Sequence, residues 1–528
     1  MSSALIRPAT SGVALRELVA RLGVPLDRQP DADPVVTGVS LDSRTVVRGD
    51  LYAALPGFNA HGADFAAQAF ERGAVAVLTD AAGAGRVPAG MPVVVVDRPR
   101  EVLGAVAAQV YGDPSTDLKM IGVTGTNGKT TTAYLIESAL RAHGRRTGLI
   151  GTVETRLGDE VIDSVRTTPE TTDLHALLAL MRERGLDTCV MEVSSHALAL
   201  HRVDGVVYDV ALFTNLSQDH LDFHADMQDY YQAKASLFTP ARSRRAVVGV
   251  DDEWGLRLAA EASVPVTTVS TSDTSADWVV ARSSDDGTFT LQARDGSQLR
   301  LVSHLAGTFN VANTALAALA LVAIGLEPAA VEAAMAVPPD VPGRMQLVAA
   351  GAARSADRPG SPRCIVDFAH TPDAVDAALA ALRPSTSGRL IVVLGAGGDR
   401  DRGKRPRMGA AAARHADVVV VTDDNPRSEQ PAAIRAAVLA GARELIEAGS
   451  AMATELIDGG ARAAAIARAV SIGVDETRTR GGADAVDTVI VLGKGHEKGQ
   501  EIDGVMHPFD DRDAVLAALS AATSGTRP

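Results

Sequence analysis

The run Ile121-Gly122-Val123-Thr124-Gly125-Thr126-Asn127-Gly128-Lys129-Thr130-Thr131 joins an apolar stretch to a glycine turn and then to a helical pattern. Such a turn aims backbone N–H groups at phosphate, and the helix N-terminus adds positive potential. Lys129 is spaced to meet β- and γ-phosphates, and the Thr130 hydroxyl to ligate Mg²⁺. The strict P-loop spacing is not met, because position 123 is Val and Gly122 comes one residue early. An incidental lysine beside a glycine turn is the plainer alternative, and the strand–turn–helix setting argues against it.

Two further groups could work on a phosphate. Glu192 ends one predicted strand, and Asp219-His220-Leu221-Asp222-Phe223-His224 follows another. Ligands of parallel sheets gather at strand C-termini, where a carboxylate can hold Mg²⁺ near a phosphate. His220 and His224 are spaced like metal ligands, but no third zinc ligand can be placed beside them. Hydrogen bonding within the fold is the expected role of His224, Asp222 and His196. Lys234, in the helical stretch Tyr230–Ala235, reads on its own as a surface lysine.

Nearer the C-terminus, four predicted strands each lead into a polar loop: Asp367–Asp373, Gly395–Lys404, Asp423–Arg427 and Gly493–Glu497. If the strands are parallel, the loops share one crevice. Arg400 and Arg427 suit a carboxylate and Glu497 an ammonium, which together fit an amino acid. The glycines at 395–398 alone are a weak dinucleotide signal.

The elements that must carry these loops read as α/β. With 528 residues the chain is long enough for three domains, divided here as 1–100, 101–342 and 343–528. The first mixes short strands (Val35–Gly38, Val75–Leu78, Pro92–Val96) with helix, as at Val13–Leu22. The second alternates strands at Lys119–Val123, Thr188–Val193, Val210–Thr214 and Ala246–Val250 with helices at Lys129–His143, Leu174–Arg184 and Asn310–Ile324. The third has strands at Cys364–Asp367, Leu390–Leu394, Val418–Thr422 and Thr488–Leu492 with helices between, a Rossmann-like pattern. Ala352–Pro362 and Asp475–Asp484 read as solvated loops.

A formal net charge of −14 argues against a nucleic-acid binder, which usually shows a basic face. Two cysteines, Cys189 and Cys364, fall in predicted buried strands with no disulfide or zinc spacing, which points to a reducing cytoplasm. No signal peptide and no membrane-spanning run is present, so no membrane insertion is expected.

Gly125-Thr126-Asn127-Gly128-Lys129-Thr130-Thr131 resembles the nucleotide loop of the Mur ligases, and the likeness covers almost the whole chain. It runs through Leu41–Arg44, Thr167–Glu170, Met191–His196, Thr214–Leu216, Asp219–Asp222, Gly307–Asn310 with Asn313, Gly343–Met345 and Asp367–Asp373. Within the family the chain looks like the MurE type, which adds the third residue of the stem peptide.

The resemblance implies three α/β domains: a small UDP-binding domain, a central P-loop-type ATPase domain with a mostly parallel sheet, and a C-terminal Rossmann-like domain. It implies ATP, two Mg²⁺ ions and a CO₂-derived carbamate on Lys234, with Lys129, Glu192, His220 and Lys234 catalytic and Thr130 joining the metal set. Asn310, Asn313, Arg344 and Asp367 would hold the adenosine and phosphate parts of ATP. Leu41, Ser43, Phe58, Asn59 and Ala60 would hold uridine diphosphate; Arg166, Thr167, Thr168, Ser194, Leu200 and Arg202 line the muramoyl-peptide side. Leu200 and Arg166 depart from the glutamine and asparagine of some members. Arg400, Asp424, Asn425, Pro426, Arg427, Gly493 and Glu497 match residues that hold diaminopimelate.

The expected reaction joins diaminopimelate to UDP-N-acetylmuramoyl-L-alanyl-D-glutamate through an acyl phosphate, in a cytoplasmic monomer serving peptidoglycan synthesis. A lysine-adding or folate-polyglutamylating sister ligase, a phosphotransferase and a non-catalytic nucleotide-binding regulator are the alternatives.

Overall fold

The computed structural model describes residues 7–24, 26–28, 32–57, 59–284, 287–348, 361–479 and 486–524. Three separate sheets carry the molecule, each mostly parallel and each with its own aliphatic core, in a three-domain α/β architecture. Two compact units result. One holds the described residues up to Ser283 with Phe289–Val302 and Asn313–Val337; the other is built mainly from the described residues from Pro338 onward and also takes Ser303–Ala312.

In the first unit a five-stranded sheet runs in the order Leu26–Arg28, Val93–Val95, Ala76–Thr79, Asp50–Ala53, Gly38–Ser40. Helices Leu15–Leu22 and Pro99–Val110 cover one face, burying Leu15, Leu18, Leu103 and Val106 against Leu51 and Leu78. The larger sheet has eleven strands. Its middle is parallel, with Lys119–Thr124 between Thr188–Glu192 and Val210–Phe213. These strands are buried along nearly their whole length, which is why they read as continuous apolar runs. Because the three are parallel neighbours, the loops after Thr124, Glu192 and Phe213 emerge side by side.

In the second unit Arg363–Asp367, Thr488–Leu492, Leu390–Leu394 and Val418–Thr422 are consecutive parallel strands. Helices Pro372–Leu382, Lys404–His415 and Pro431–Glu447 bury Val375, Met408 and Val438 on one face. Helix Arg462–Thr479 buries Ile466 and Val470 on the other. All four functional loops read from the sequence therefore leave the same edge.

Several expectations are corrected. Val35–Gly38 is not one strand: Val35–Val36 pairs with Val13–Ala14, and Gly38–Ser40 enters the five-stranded sheet. Helix therefore starts at Leu15 rather than Val13. Asp475–Thr479, read as loop, continues the long helix, while 480–484 lie outside the described residues. Of 352–362, residues 352–360 also lie outside them, and Ser361 and Pro362 are buried rather than solvated. An added Cβ on Gly473 would come within 3.0 Å of Pro362, so that end packs against the helix.

Candidate active site

The loop after Lys119–Thr124 is shaped by its neighbours. Gly125 has φ +146, and a Cβ there would sit 1.9 Å from Thr214 Oγ1. Only glycine fits where the loop turns this close to the next strand's end. Thr214 Oγ1 donates to Asn127 O (2.6 Å), and Asn215 Oδ1 accepts from Asn127 N (2.9 Å). Thr126 Oγ1 meets Tyr230 OH at 3.1 Å and Ser217 O at 3.2 Å. Helix Lys129–Ala142 begins immediately after the loop, so its first N–H groups face the same space, and Thr131 is buried in its first turn.

Glu192 is 1% exposed. Its carboxylate accepts from Thr130 Oγ1 (3.0 Å), Thr152 N (2.8 Å) and Thr152 Oγ1 (2.9 Å). Thr168 Oγ1 donates to the Glu192 carbonyl at 2.9 Å and lies 3.4 Å from Ser194 Oγ. Lys129 Nζ donates to Gly125 O and Thr126 O, both at 2.9 Å. Lys234, in helix Met227–Ala235, is 1% exposed. Its Nζ donates to Gly125 O at 2.7 Å and lies 4.7 Å from the centre of the Tyr230 ring. Burial first, and repulsion from Lys129 second, hold its pKa well below the usual lysine range.

His220 has φ +54 and lies beside Asp219, whose Oδ2 is 3.5 Å from Nε2. Burial pushes its pKa down to about 4 against the pull of Asp219, so the imidazole is neutral and able to ligate a metal near pH 7. His224 is instead fully engaged, with Ser195 Oγ at 3.0 Å and Asp229 Oδ2 at 3.1 Å. His196 stacks on Phe223, ring centres 4.1 Å apart. Asn313 Oδ1 accepts from Thr132 Oγ1 at 3.3 Å, at the start of the same helix.

Thr130 and Glu192 are in contact and His220 is on the neighbouring loop. Among the described residues no group of three or more His, Cys, Asp and Glu is gathered as a metal cage. That donor set fits Mg²⁺, which keeps water and phosphate oxygens in its sphere, better than zinc.

In the second unit Asp367 accepts from Met345 N (2.7 Å) and Ala369 N (2.8 Å), and Arg344 lies over the Phe368 ring at 4.3 Å. Asn310 Nδ2 donates to Ala306 O at 2.7 Å. The loops after Val418–Thr422 and Thr488–Leu492 are cross-linked. Lys494 is 0% exposed, and its Nζ donates to Asn425 Oδ1 (2.9 Å) and Glu497 Oε2 (3.0 Å). Asn425 Nδ2 also donates to Glu497 Oε2, at 3.2 Å. Gly493 has φ +114, and a Cβ there would meet Asp424 Oδ2 at 2.6 Å. Burial opposes ionisation of Asp424, but Arg462 and Lys494 outweigh it and hold the carboxyl below its usual range. Pro426 is buried, Arg427 Nε donates to Glu501 Oε2 at 3.0 Å, and Arg400 lies exposed on the neighbouring loop.

The first-sheet residues are more dispersed. Ser43 Oγ donates to Gln68 Oε1 at 2.6 Å, Leu41 packs on the core, Asn59 and Ala60 are exposed, and Phe58 lies outside the described residues. Glu170 pairs with both Arg202 (2.9 Å) and Arg100 (3.2 Å), and Arg100 also reaches Leu200 O at 3.4 Å. Thr167 Oγ1 is 3.1 Å from Thr152 Oγ1, and Arg166 is exposed.

Comparison with known proteins decides the family. The Mur ligase family catalytic domain matches residues 35–111, the Mur ligase middle domain 123–322, and the glutamate ligase domain of Mur ligases 343–495. A UDP-N-acetylmuramoyl-L-alanyl-D-glutamate–2,6-diaminopimelate ligase of Streptomyces avermitilis is 54% identical over 97% of this chain and 98% of its own. The chain belongs to the Mur ligase family. A Streptomyces coelicolor Mur ligase of the same name is 53% identical over 96% of this chain and 97% of its own. A solved structure of a ligase of that name, 30% identical, covers 97% of this chain and 99% of that one, with a TM-score of 0.65. Mur ligases form amide bonds at the expense of ATP and require Mg²⁺.

Four residues went unread in the sequence: Thr152 and Tyr230 in the first unit, Lys494 and Glu501 in the second. Thr152 touches Glu192, the partner of Thr130, and Tyr230 touches Thr126 of the 125–131 loop, both from distant positions with no motif of their own. Lys494 stood inside a loop already singled out, and a lysine flanked by two glycines between a strand and Glu497 was the available signal. Glu501 lies on the hairpin Gly499–Ile502 with Val505–Pro508, which carried no such signal.

Proposed function

We propose that this chain is an ATP-dependent ligase that joins 2,6-diaminopimelate to UDP-N-acetylmuramoyl-L-alanyl-D-glutamate in peptidoglycan precursor synthesis. The observation that carries this reading is the end-to-end identity of 54% with a ligase of that name. The cross-linked loops at 424–427 and 493–497 support it, since they set an arginine and a carboxylate at one sheet edge.

A free carboxylate is a poor acyl donor. The D-glutamate γ-carboxylate oxygen therefore attacks the γ-phosphorus of ATP, ADP leaves, and an acyl phosphate forms. The diaminopimelate amine then attacks the acyl carbon, the C–O bond to phosphate breaks, a proton leaves the nitrogen, and amide and phosphate result. Lys129 and the N–H groups of 125–131 offset charge on the transferring phosphoryl group. Thr130, Glu192 and His220 hold Mg²⁺, which when bound neutralises phosphate charge. Asn310, Asn313, Arg344 and Asp367 contact the rest of the nucleotide.

Lys234 carries a carbamate: burial lowers its pKa and so favours the deprotonated amine that attack on CO₂ needs, and the product is an anion beside the Gly125 carbonyl. Leu41, Ser43, Phe58, Asn59 and Ala60 take the uridine diphosphate; Arg166, Thr167, Thr168, Ser194, Leu200 and Arg202 take the muramoyl peptide. Arg400, Asp424, Asn425, Pro426, Arg427, Gly493 and Glu497 take diaminopimelate.

The domain division at about 100 and 342 belongs to the same reading. The packing of helix Pro99–Val110 in the N-terminal core supports moving the first boundary just beyond that helix. A cytoplasmic, monomeric enzyme belongs to the same reading. Separately, among the described residues no helix is long and apolar enough to cross a membrane.

Phosphate release tests the reaction class. It is expected only when ATP, the UDP-muramoyl dipeptide and diaminopimelate are all present. Phosphorylated dipeptide accumulating as the final product with the amine supplied would overturn the ligase reading in favour of a phosphotransferase.

A further inference from the structure

We propose that Glu501 is a positioning residue that sets amino-acid specificity by aiming the Arg427 guanidinium at the far carboxylate of the incoming substrate. The proposal rests on the reading of Arg427 as that carboxylate's partner.

The 424–427 loop and the hairpin strand Gly499–Ile502 are laced together. Gln500 Nε2 donates to Asp424 O at 2.5 Å and Glu501 N to Asn425 Oδ1 at 3.0 Å. Arg427 N donates to Glu501 O at 3.1 Å, and Asp503 N to Arg427 O at 2.8 Å. Arg427 has φ +51, a region that residues with a Cβ seldom occupy. Both of its backbone polar groups are bonded to the hairpin, which holds it in that conformation.

The side chain is held from the same place. Nε–H donates to Glu501 Oε2 at 3.0 Å, and Nη1 to Gly398 O at 2.6 Å. These bonds engage two of the five guanidinium N–H groups, and a bidentate carboxylate needs two more. Three N–H groups remain, one on Nη1 and two on Nη2, so a carboxylate can be met without displacing Glu501 from Nε. Glu501 thus fixes the plane of the fork before substrate arrives, so the ordering cost of a long arginine is met in advance. The pair is partly solvated, with side-chain exposures of 24% and 35%, so its contribution is modest.

The expected result follows from orientation rather than charge alone. Glu501→Ala raises the KM for diaminopimelate about three- to tenfold, the size of a partly screened charge-assisted contact. The KM for ATP holds. Glu501→Gln keeps an acceptor for Nε–H and restores most of the loss. Lysine, offered at high concentration, lacks the far carboxylate, and its KM does not respond to Glu501→Ala. In an Arg427→Ala background Glu501→Ala adds nothing, as expected for two groups acting as one.

Steady-state kinetics of the full chain with both amino acids, with a thermal melt of each variant, make the test. If Arg427→Ala raises the KM for diaminopimelate and Glu501→Ala does not, the role of Glu501 is overturned while the substrate reading stands. If Glu501→Ala weakens lysine equally, or Glu501→Gln is as poor as Ala, the orientation argument is likewise overturned. If Arg427→Ala itself changes nothing, the substrate reading falls and the proposal with it.

Discussion

Lys129 and Lys234 share one acceptor: both ammonium groups donate to the Gly125 carbonyl, at 2.9 and 2.7 Å. Lys129 is part-exposed at the helix start, whereas Lys234 is fully buried. Burial first, and repulsion from Lys129 second, make the proton of Lys234 the easier to lose, which is what the proposed carbamylation requires of it.

Lys129→Ala is expected to lower kcat by about a hundredfold to a thousandfold, the usual loss when one preorganised stabiliser of transferring charge is removed. Its melting temperature should stay near that of the parent, since bonds from a part-exposed ammonium to the Gly125 and Thr126 carbonyls contribute modestly. Turnover near the parent value in a folded variant contradicts the role of Lys129.

Lys234→Ala is expected to be nearly inactive, and a small added carboxylate to restore part of the activity. In the unaltered enzyme, stripping dissolved CO₂ and bicarbonate should lower turnover reversibly, and electron density of a crystal should show an adduct on Nζ. A bare amine in an enzyme whose turnover ignores CO₂ contradicts carbamylation.

How much of this was legible follows from how local each signal is. The 125–131 loop, Glu192 and the 424–427 and 493–497 loops could be read because each sits at the end of a short Val/Ile-rich strand, and parallel order brings strand ends together. The burial of Lys234 could not, since lysine is the residue least often buried and its partner Gly125 lies 109 positions away. The strands at 154–163 and 266–302 went unread because their apolar residues are spaced among Thr, Ser, Asp and Arg. The first-sheet residues expected to hold uridine diphosphate carried the weakest local pattern, and Ser43 turns out to be bonded within the fold to Gln68.

Lys494→Met should raise the KM for diaminopimelate about tenfold, the scale of a buried charge-assisted contact, and leave the KM for ATP unchanged. It removes the ammonium that bridges Asn425 Oδ1 and Glu497 Oε2, leaving their direct 3.2 Å bond, while keeping the buried stem. An unchanged KM for diaminopimelate contradicts a link between these two loops in substrate binding.

Stability should also carry a pH signature from His175. It is completely buried, and its Nε2 lies 3.0 Å from Asp204 O. Burial lowers its folded pKa, so below the unfolded value of about 6.5 the unfolded chain binds more protons than the fold. The stability it contributes is complete above that value and lost as pH falls from there toward the lowered folded pKa. Thermal melts between pH 7 and pH 5 should therefore fall more steeply for the parent than for His175→Gln. Equal slopes contradict this assignment.

The central claim is tested most directly by the ratio of kcat/KM for diaminopimelate to that for lysine, read as phosphate release with ATP and the UDP-muramoyl dipeptide in excess. Each diaminopimelate stereoisomer is offered separately. A site that pairs the far carboxylate with Arg427 should favour the better diaminopimelate isomer by at least about tenfold, because lysine leaves that cation without its partner. A ratio at or below unity, with lysine the preferred amine, contradicts the account.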